Sequence, residues 1–405
     1  MLAGLALLIL GGGGGWYLLG EVVERSAPRM AGMPILVPAE DRWTVIVLTS
    51  HTATRNARWR LLLGRAREPH DLHWDLWAFD GSDLRQRWVT RLGSVRRGQP
   101  EADRGILGAE DGTVWVLADR LVLVSASAGR ILGDAASLES RNPRVFRARF
   151  PNNARSFIFD QGLIVVAPDG TRLRADPRSL TTRPEAAVAL RTNAMTPLRP
   201  LPADRPGVLR GLVQDNRWYG MMTAAEAPGF TARGATDDAG FPARDTLYRL
   251  WSGVNRVERD ASGVERTVLA NLRPEPGGAE FLEGGLLATV TAFGLLDPVI
   301  MSGRTRLLVL HRDSLRPGLA LSCVELTGTA CWRAGLGMRA LTAVGVIQGL
   351  TEMLGAVLLV GEGTESEAGR TGGQRIVRVS AQGGGMSAVD IAALDTATVA
   401  AARAD

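Results

Sequence analysis

From Pro34 onward the chain is a succession of short apolar runs separated by turn residues. Residues 43–49 (WTVIVLT), 113–118 (TVWVLA), 120–125 (RLVLVS) and 163–167 (LIVVA) are of strand length and rich in β-branched side chains. So are 286–291 (LLATVT), 306–311 (RLLVLH), 356–360 (AVLLV) and 375–380 (RIVRVS). Several are apolar at consecutive rather than alternate positions, which is the pattern of a strand covered on both faces. Asp80-Gly81, Asp111-Gly112 and Asp169-Gly170 are turn dipeptides that tolerate positive φ. Helical periodicity is nearly absent, and its best example is the Ala-rich tail 388–403, which is expected to lie outside the core.

Two distant segments match. Leu76-Trp-Ala-Phe-Asp80 leads through a turn to Trp88, Leu92 and Gly93; Cys323-Val-Glu-Leu-Thr327-Gly328 leads to Trp332, Leu336 and Gly337. Both read as an apolar strand, a turn, then W-x-x-x-L-G. The two Trp are separated by about six periods of a unit of roughly 40 residues. Residues 106–132 read as four consecutive short strands. Radial repetition of four-stranded units is a β-propeller, and the expected fold is all-β with about seven four-stranded blades, in a range of six to eight. The units are drawn at 34–93, 103–135, 155–185, 189–225, 245–272, 280–337 and 338–386. Trp88 and Trp332 are expected to fill the wedge between blades. A ring closes if strands near 35–37 or 43–49 share a sheet with 356–360 and 375–380.

Leu76-Trp-Ala-Phe-Asp80 with Trp88, and Val324-Glu-Leu-Thr-Gly328 with Trp332, resemble the outer hairpin of quinoprotein-type (PQQ-like) propeller repeats. The whole chain also resembles a family of uncharacterised bacterial propeller proteins with an N-terminal apolar segment. The resemblance implies a propeller and an envelope location, and it implies no reaction. Quinone-dependent dehydrogenases of this repeat type use adjacent paired cysteines, a calcium site and a longer chain. This sequence has no adjacent Cys pair, so no quinone or other cofactor is expected.

The N-terminus changes the picture. Residues 2–20 carry no charge and are long enough, as a helix, to cross the apolar part of a bilayer. Residues 1–24 therefore read as a transmembrane anchor or a signal-like segment, 34–386 as the propeller and 387–405 as the tail. An inner-membrane anchor with a periplasmic propeller is the favoured arrangement, although Arg25 and Arg29 follow the run and no Arg precedes it. Overall the chain has 405 residues, is 45% hydrophobic and carries a formal charge of +5. All 47 of its basic residues are Arg and they are scattered among acids, so no nucleic-acid partner is expected.

Candidate chemistry is sparse. His70-Asp-Leu-His73 with Asp75 offers metal ligands if a loop makes them converge, and polar residues on an inserted loop otherwise. His51 falls in that same insertion, drawn from 51 to 71. Cys323 and Cys331 flank a tight hairpin. A three-residue loop sets them opposite each other at a separation suiting a disulfide, whereas a one-residue register change leaves two buried thiols. Asp237-Asp238 and Glu362, Glu365 and Glu367 read as solvated acids. No P-loop, nucleophile elbow, zincin helix or dinucleotide fingerprint is present. The leading function is a non-catalytic scaffold for an envelope protein partner. The alternatives are a small-molecule sensor in the central channel and an enzyme whose site is assembled from several blades.

Overall fold

The computed structural model describes residues 21–394 other than 40–41, 58–70, 97–103, 147–149, 152–153, 168, 186–197, 202–206, 228–229, 231–241, 260–262, 264, 291–295, 301–305, 349–353 and 365–372. Thirty strands form six antiparallel sheets among these residues, in two compact units.

The first unit holds three sheets. In the first, β1 (Glu21–Arg25), β2 (Arg29–Met30) and β3 (Ile35–Ala39) lie end to end along one edge of β4 (Arg42–Ala57), followed by β5 (Asp71–Asp80) and β6 (Gln86–Arg96). The second is a meander of β7 (Gly105–Glu110), β8 (Thr113–Leu117), β9 (Leu121–Ser125) and β10 (Ile131–Asp134). Helix α1 (Ala135–Arg141) follows, capped by the Asp134 carboxylate, which accepts the Ser137 N–H at 2.9 Å. The third sheet is β11 (Phe157–Phe159), β12 (Leu163–Val166), β13 (Arg172–Ala175) and β14 (Thr182–Pro184).

Consecutive apolar residues arise because the second sheet is covered on both faces. Val114, Val116, Val122 and Val124 pack with Ile46, Leu48, Leu76 and Leu92 of the first sheet. Their alternates Trp115, Leu117, Leu121 and Leu123 pack with Leu163, Val165 and Leu173 of the third and with Leu138 of α1. Full burial of such side chains contributes about 1.5–3 kcal/mol each. Asp111 (φ 47°) and Gly112 (φ 71°) make the two-residue turn that joins β7 to β8.

The second unit begins with three short strands that join three different sheets. These are β15 (Arg199–Pro200), β16 (Val208–Leu209) and β17 (Gly211–Gln214). The fourth sheet runs β17, β18 (Arg217–Met222), β19 (Leu247–Arg259) and β20 (Glu265–Pro274), and β21 (Glu280–Leu282) continues the line of β20 along β19. The fifth contains β22 (Gly285–Val290), β24 (Arg306–Arg312), β25 (Leu319–Glu325) and β26 (Ala330–Gly335), with β23 (Leu296–Pro298) and β16 on β22. The sixth is β27 (Met338–Gln348), β28 (Leu354–Gly363), β29 (Gln374–Ser380) and β30 (Met386–Asp390), with β15 added to β27. One apolar core, including Tyr219, Leu250, Leu286, Leu308, Val324, Val344 and Val377, runs through all three.

Several sequence expectations are corrected here. The expected units 189–225 and 245–272 are not separate: β17–β20 form one sheet, and the residues just before β17 are dealt out to the fifth and sixth sheets. Among the described residues the sheets have, in chain order of their main strands, six, four, four, five, six and five strands. Strands 35–37 and 43–49 do not share a sheet with 356–360 and 375–380; the free edge of β27 is taken by β15 instead. The tail is not helical where described: β30 pairs with β29, then a single 3-10 turn (Ile391–Ala393) buries Ile391. The boundary at 24 falls inside β1, which pairs with β4 from Glu21 onward. The apolar run 2–20 and its expected helix lie outside the described residues. Among the described residues no helix is long and apolar enough to cross a membrane.

Candidate functional site

One kind of junction recurs between neighbouring sheets within each unit. The loop between the third and fourth strands of a sheet receives residues from the fourth strand of the sheet before it. On the second sheet this loop follows β9, and Trp88 of β6 donates its indole N–H to the Ala126 carbonyl at 3.1 Å. On the sixth sheet the loop follows β29, and Trp332 of β26 donates to the Ala381 carbonyl at 3.2 Å. The loops share a glycine with positive φ, Gly129 (69°) and Gly384 (68°). A Cβ on Gly129 would come within 2.6 Å of the Trp88 ring, and one on Gly384 within 2.7 Å of Trp332. Each half-buried indole thus lies flat on a glycine that no other residue could replace without displacing it.

Two more junctions bring the same loop against the preceding sheet through other contacts. Leu180 (φ 56°) ends the β13–β14 loop and presses on Gly133 of β10, where a Cβ would meet its Cδ1 at 2.5 Å. Between the fourth and fifth sheets, the Gly277 N–H bonds the Thr327 carbonyl at 2.7 Å and the Ala279 N–H bonds that of Gly328 (φ 84°) at 3.4 Å.

Gly93 and Gly337, equivalent in sequence, differ in structure. Gly93 lies within β6 against the Asp119 carboxylate, which a Cβ would meet at 2.5 Å. Gly337 (φ 61°) is the turn residue between β26 and β27. Leu92 and Leu336, one position earlier, are both fully buried.

The densest chemistry lies in the first sheet. His73 and Asp75 occupy alternate positions of β5, on one face. Asp75, fully buried, takes the Arg91 Nε–H at 2.5 Å and Nη2–H at 3.3 Å from β6. From β4, His51 places Nδ1 3.3 Å from Oδ2, the oxygen that also takes the Arg91 Nη2–H, and stacks its ring on His73, with centroids 5.3 Å apart. Thr49 donates its hydroxyl to the Asp75 carbonyl and accepts the Trp77 indole N–H at 2.9 Å. Burial, helped by the positive Arg91 and the nearby His73, pushes the His51 imidazole down to about 4. Burial also pushes the Asp75 carboxyl up, against the pull of Arg91.

This arrangement is a structural lock. The Asp75 carboxylate is spent on Arg91, whose guanidinium disfavours a cation there, and His51 is 2% exposed. Among the described residues no group of three His, Cys, Asp or Glu is placed to hold a metal ion. His70, Asp237, Asp238, Glu365 and Glu367 lie outside the described residues. Sequence reading missed His51 and Arg91, because their partners are cross-strand. The available signal was the polar pair His73 and Asp75 at period two inside an apolar strand.

His311 is a second buried imidazole. Its Nδ1–H donates to the Arg312 carbonyl at 2.7 Å, which leaves Nε2 to accept the Ser322 hydroxyl at 2.9 Å. Burial pushes it down to about 4. Cys323, fully buried, and Cys331, exposed, are not joined by a disulfide. Burial, with the neighbouring Cys331 next in weight, pushes the Cys323 thiol up to about 12.

No family model matches the chain. No curated protein matches it either. Among solved structures it is similar to BamB from Moraxella catarrhalis at 13% identity over 89% of this chain and 98% of that one, with a TM-score of 0.19. It is similar at 8% identity to the β-propeller domain of the Trilobed protease from Pyrococcus furiosus, over 89% and 86% of the two chains with a TM-score of 0.19. A third is BBS1N in complex with ARL6DN, at 9% identity over 91% and 97% with a TM-score of 0.18. Backbones with such TM-scores do not superpose, so these likenesses assign neither a fold nor an activity to the chain.

Proposed function

We propose that this chain is a non-catalytic β-propeller with PQQ-like repeats that serves as a protein-interaction scaffold at the bacterial cell envelope. The observation that carries the reading is the recurring junction, in which a fourth strand docks on the next sheet's third-to-fourth-strand loop. Trp88 on Ala126 and Trp332 on Ala381 are its two closest copies. Meander sheets packed face to face and tied by one repeated contact are the building plan of a propeller. Such a frame is rigid and displays its loops as a broad surface, which suits partner binding. The uncharged run 2–20 supports anchoring at a membrane, with the sheets on the periplasmic side.

The test uses the full chain in cells with an amine-independent photo-crosslinker, since the sequence has no Lys. Cross-links should gather on loops of one side and reach one envelope protein reproducibly. Cross-links confined to the chain itself overturn the scaffold reading. Removal of residues 1–20 should release the protein from washed membranes with its melting temperature unchanged. Persistence in the membrane fraction overturns the anchor.

A further inference from the structure

Trp332 stands opposite Cys323, and Cys331 precedes it in β26 without a register partner. β25 and β26 pair in register from Ala320 with Gly335 to Cys323 with Trp332, and then skip to Val324 with Ala330. Cys331 is the additional residue of a bulge, a distortion in which two residues of one strand face one of the other. Of the two sequence alternatives the structure has the one-residue offset, since Cys323 is in register with Trp332. The Cys331 thiol is among the neighbours that act on the Cys323 thiol. One is exposed and the other fully buried.

We propose that Cys323 and Cys331 are an oxidisable pair that closes a cross-strand disulfide when the chain meets a small disulfide oxidant, such as oxidised glutathione. Cys331 is the chain neighbour of Trp332, the residue in register with Cys323, so the bulge keeps the two cysteines at neighbouring positions on adjoining strands. The exposed Cys331 is the entry point. Its thiolate attacks one sulfur of the oxidant, forming a mixed disulfide and releasing one glutathione thiolate. The Cys323 thiol then gives up its proton to solvent and attacks Sγ of Cys331, releasing the second glutathione. The protein loses two electrons and two protons, and one oxidised glutathione becomes two reduced molecules. The high proton affinity of buried Cys323 makes the second step the slow one.

The bond would clamp a functional junction. The loop between the two cysteines carries Thr327 and Gly328, which receive Gly277 and Ala279. Trp332, next to Cys331, is the side chain that reaches Ala381. Oxidation therefore stiffens the fifth sheet at both of these contacts. The inference is independent of the scaffold reading, because it needs no partner.

The experiment treats the reduced, full-length chain with oxidised glutathione at pH 8 and follows intact mass and peptide maps. A glutathione adduct on Cys331 should appear first. It should give way to a chain two hydrogens lighter, with the peptides of Cys323 and Cys331 joined. Cys323→Ala should stop at the adduct, and Cys331→Ser should remain unmodified while folded. The oxidised parent should melt several degrees higher than the reduced one, a difference absent in Cys331→Ser. A permanent Cys331 adduct in the parent overturns the proposal, as do disulfide-linked dimers as the sole product. Equal alkylation rates for Cys323 and Cys331 in the folded chain overturn it too. If Cys323→Ala fails to fold, the order of products in the parent still decides.

Discussion

Trp88 and Trp332 hold the same post in different units: each gives its indole N–H to an alanine carbonyl just past the third strand of the next sheet, at 3.1 Å and 3.2 Å. Each ring also lies on a glycine of that loop, Gly129 or Gly384. Both are therefore expected to matter equally to stability. Truncation to Ala should cost about 2–4 kcal/mol at either site, somewhat below a fully buried Trp. Phe, which keeps the packing and loses the donor, should cost about 1 kcal/mol. Urea unfolding of the four variants measures this, and unequal losses at the two sites would break the equivalence.

The glycine side of the contact gives a complementary expectation. Gly129→Ala and Gly384→Ala each force a side chain into a left-handed backbone and into an indole. The backbone alone costs about 1 kcal/mol. Displacement of the ring should add to it and shift the fluorescence of the Trp concerned to longer wavelength. A Gly112→Ala control, at a turn with open space around the new methyl, should show the backbone cost with no spectral change.

Asp75 and Arg91 form an ion pair with the carboxylate fully buried. Removing one partner leaves a charge without compensation, so Asp75→Asn should destabilise by about 3–5 kcal/mol. The double variant Asp75→Leu/Arg91→Leu should recover much of that loss. Chemical denaturation of the single and double variants decides, and an additive double variant would show that the pair is not coupled.

Acid should weaken the fold through its imidazoles. His51 and His311 sit near 4 in the folded chain against about 6.5 unfolded. Below about 6.5 the unfolded chain takes up protons that the fold refuses. Stability is therefore complete above that pH and is lost as the pH falls to 4. Asp75, Glu110 and Asp119, pushed up by burial, act in the opposite sense: they favour the fold at low pH. His311→Asn isolates one imidazole, and the parent should lose about 1–3 kcal/mol more than this variant between pH 6.5 and 4. Titration of His311 by NMR at its ordinary value would refute the assignment.

The strands were legible where both faces are buried. Residues 113–118 and 120–125 announce themselves because both faces of their strands are buried against apolar neighbours. The division of residues 189–272 was not legible. β15 and β16 have two residues each, and their partners, β27 and β22, lie far along the chain, so no local period marks them. The tail misled because Ala favours helices in isolation, whereas the edge of β29 offers hydrogen bonds that override so small a preference. The polar lock was half visible: His73 and Asp75 show in the alternation of β5. Arg91 looks like any surface arginine until β6 is placed beside it, and His51 looks like loop until β4 is seen to run on to Ala57.

The run from β15 to β17 also sets a timetable. Arg199 waits for Val344, and Val208 waits for Leu287, before either has a neighbour. As the ribosome delivers the chain, these short segments emerge long before the edges they complete. Closing loops of that length is slow, and β15 must await most of the second unit. A nascent chain halted before β27 would hold β15 with nothing to pair to, so the last sheet acts as the keystone of synthesis as well as of structure.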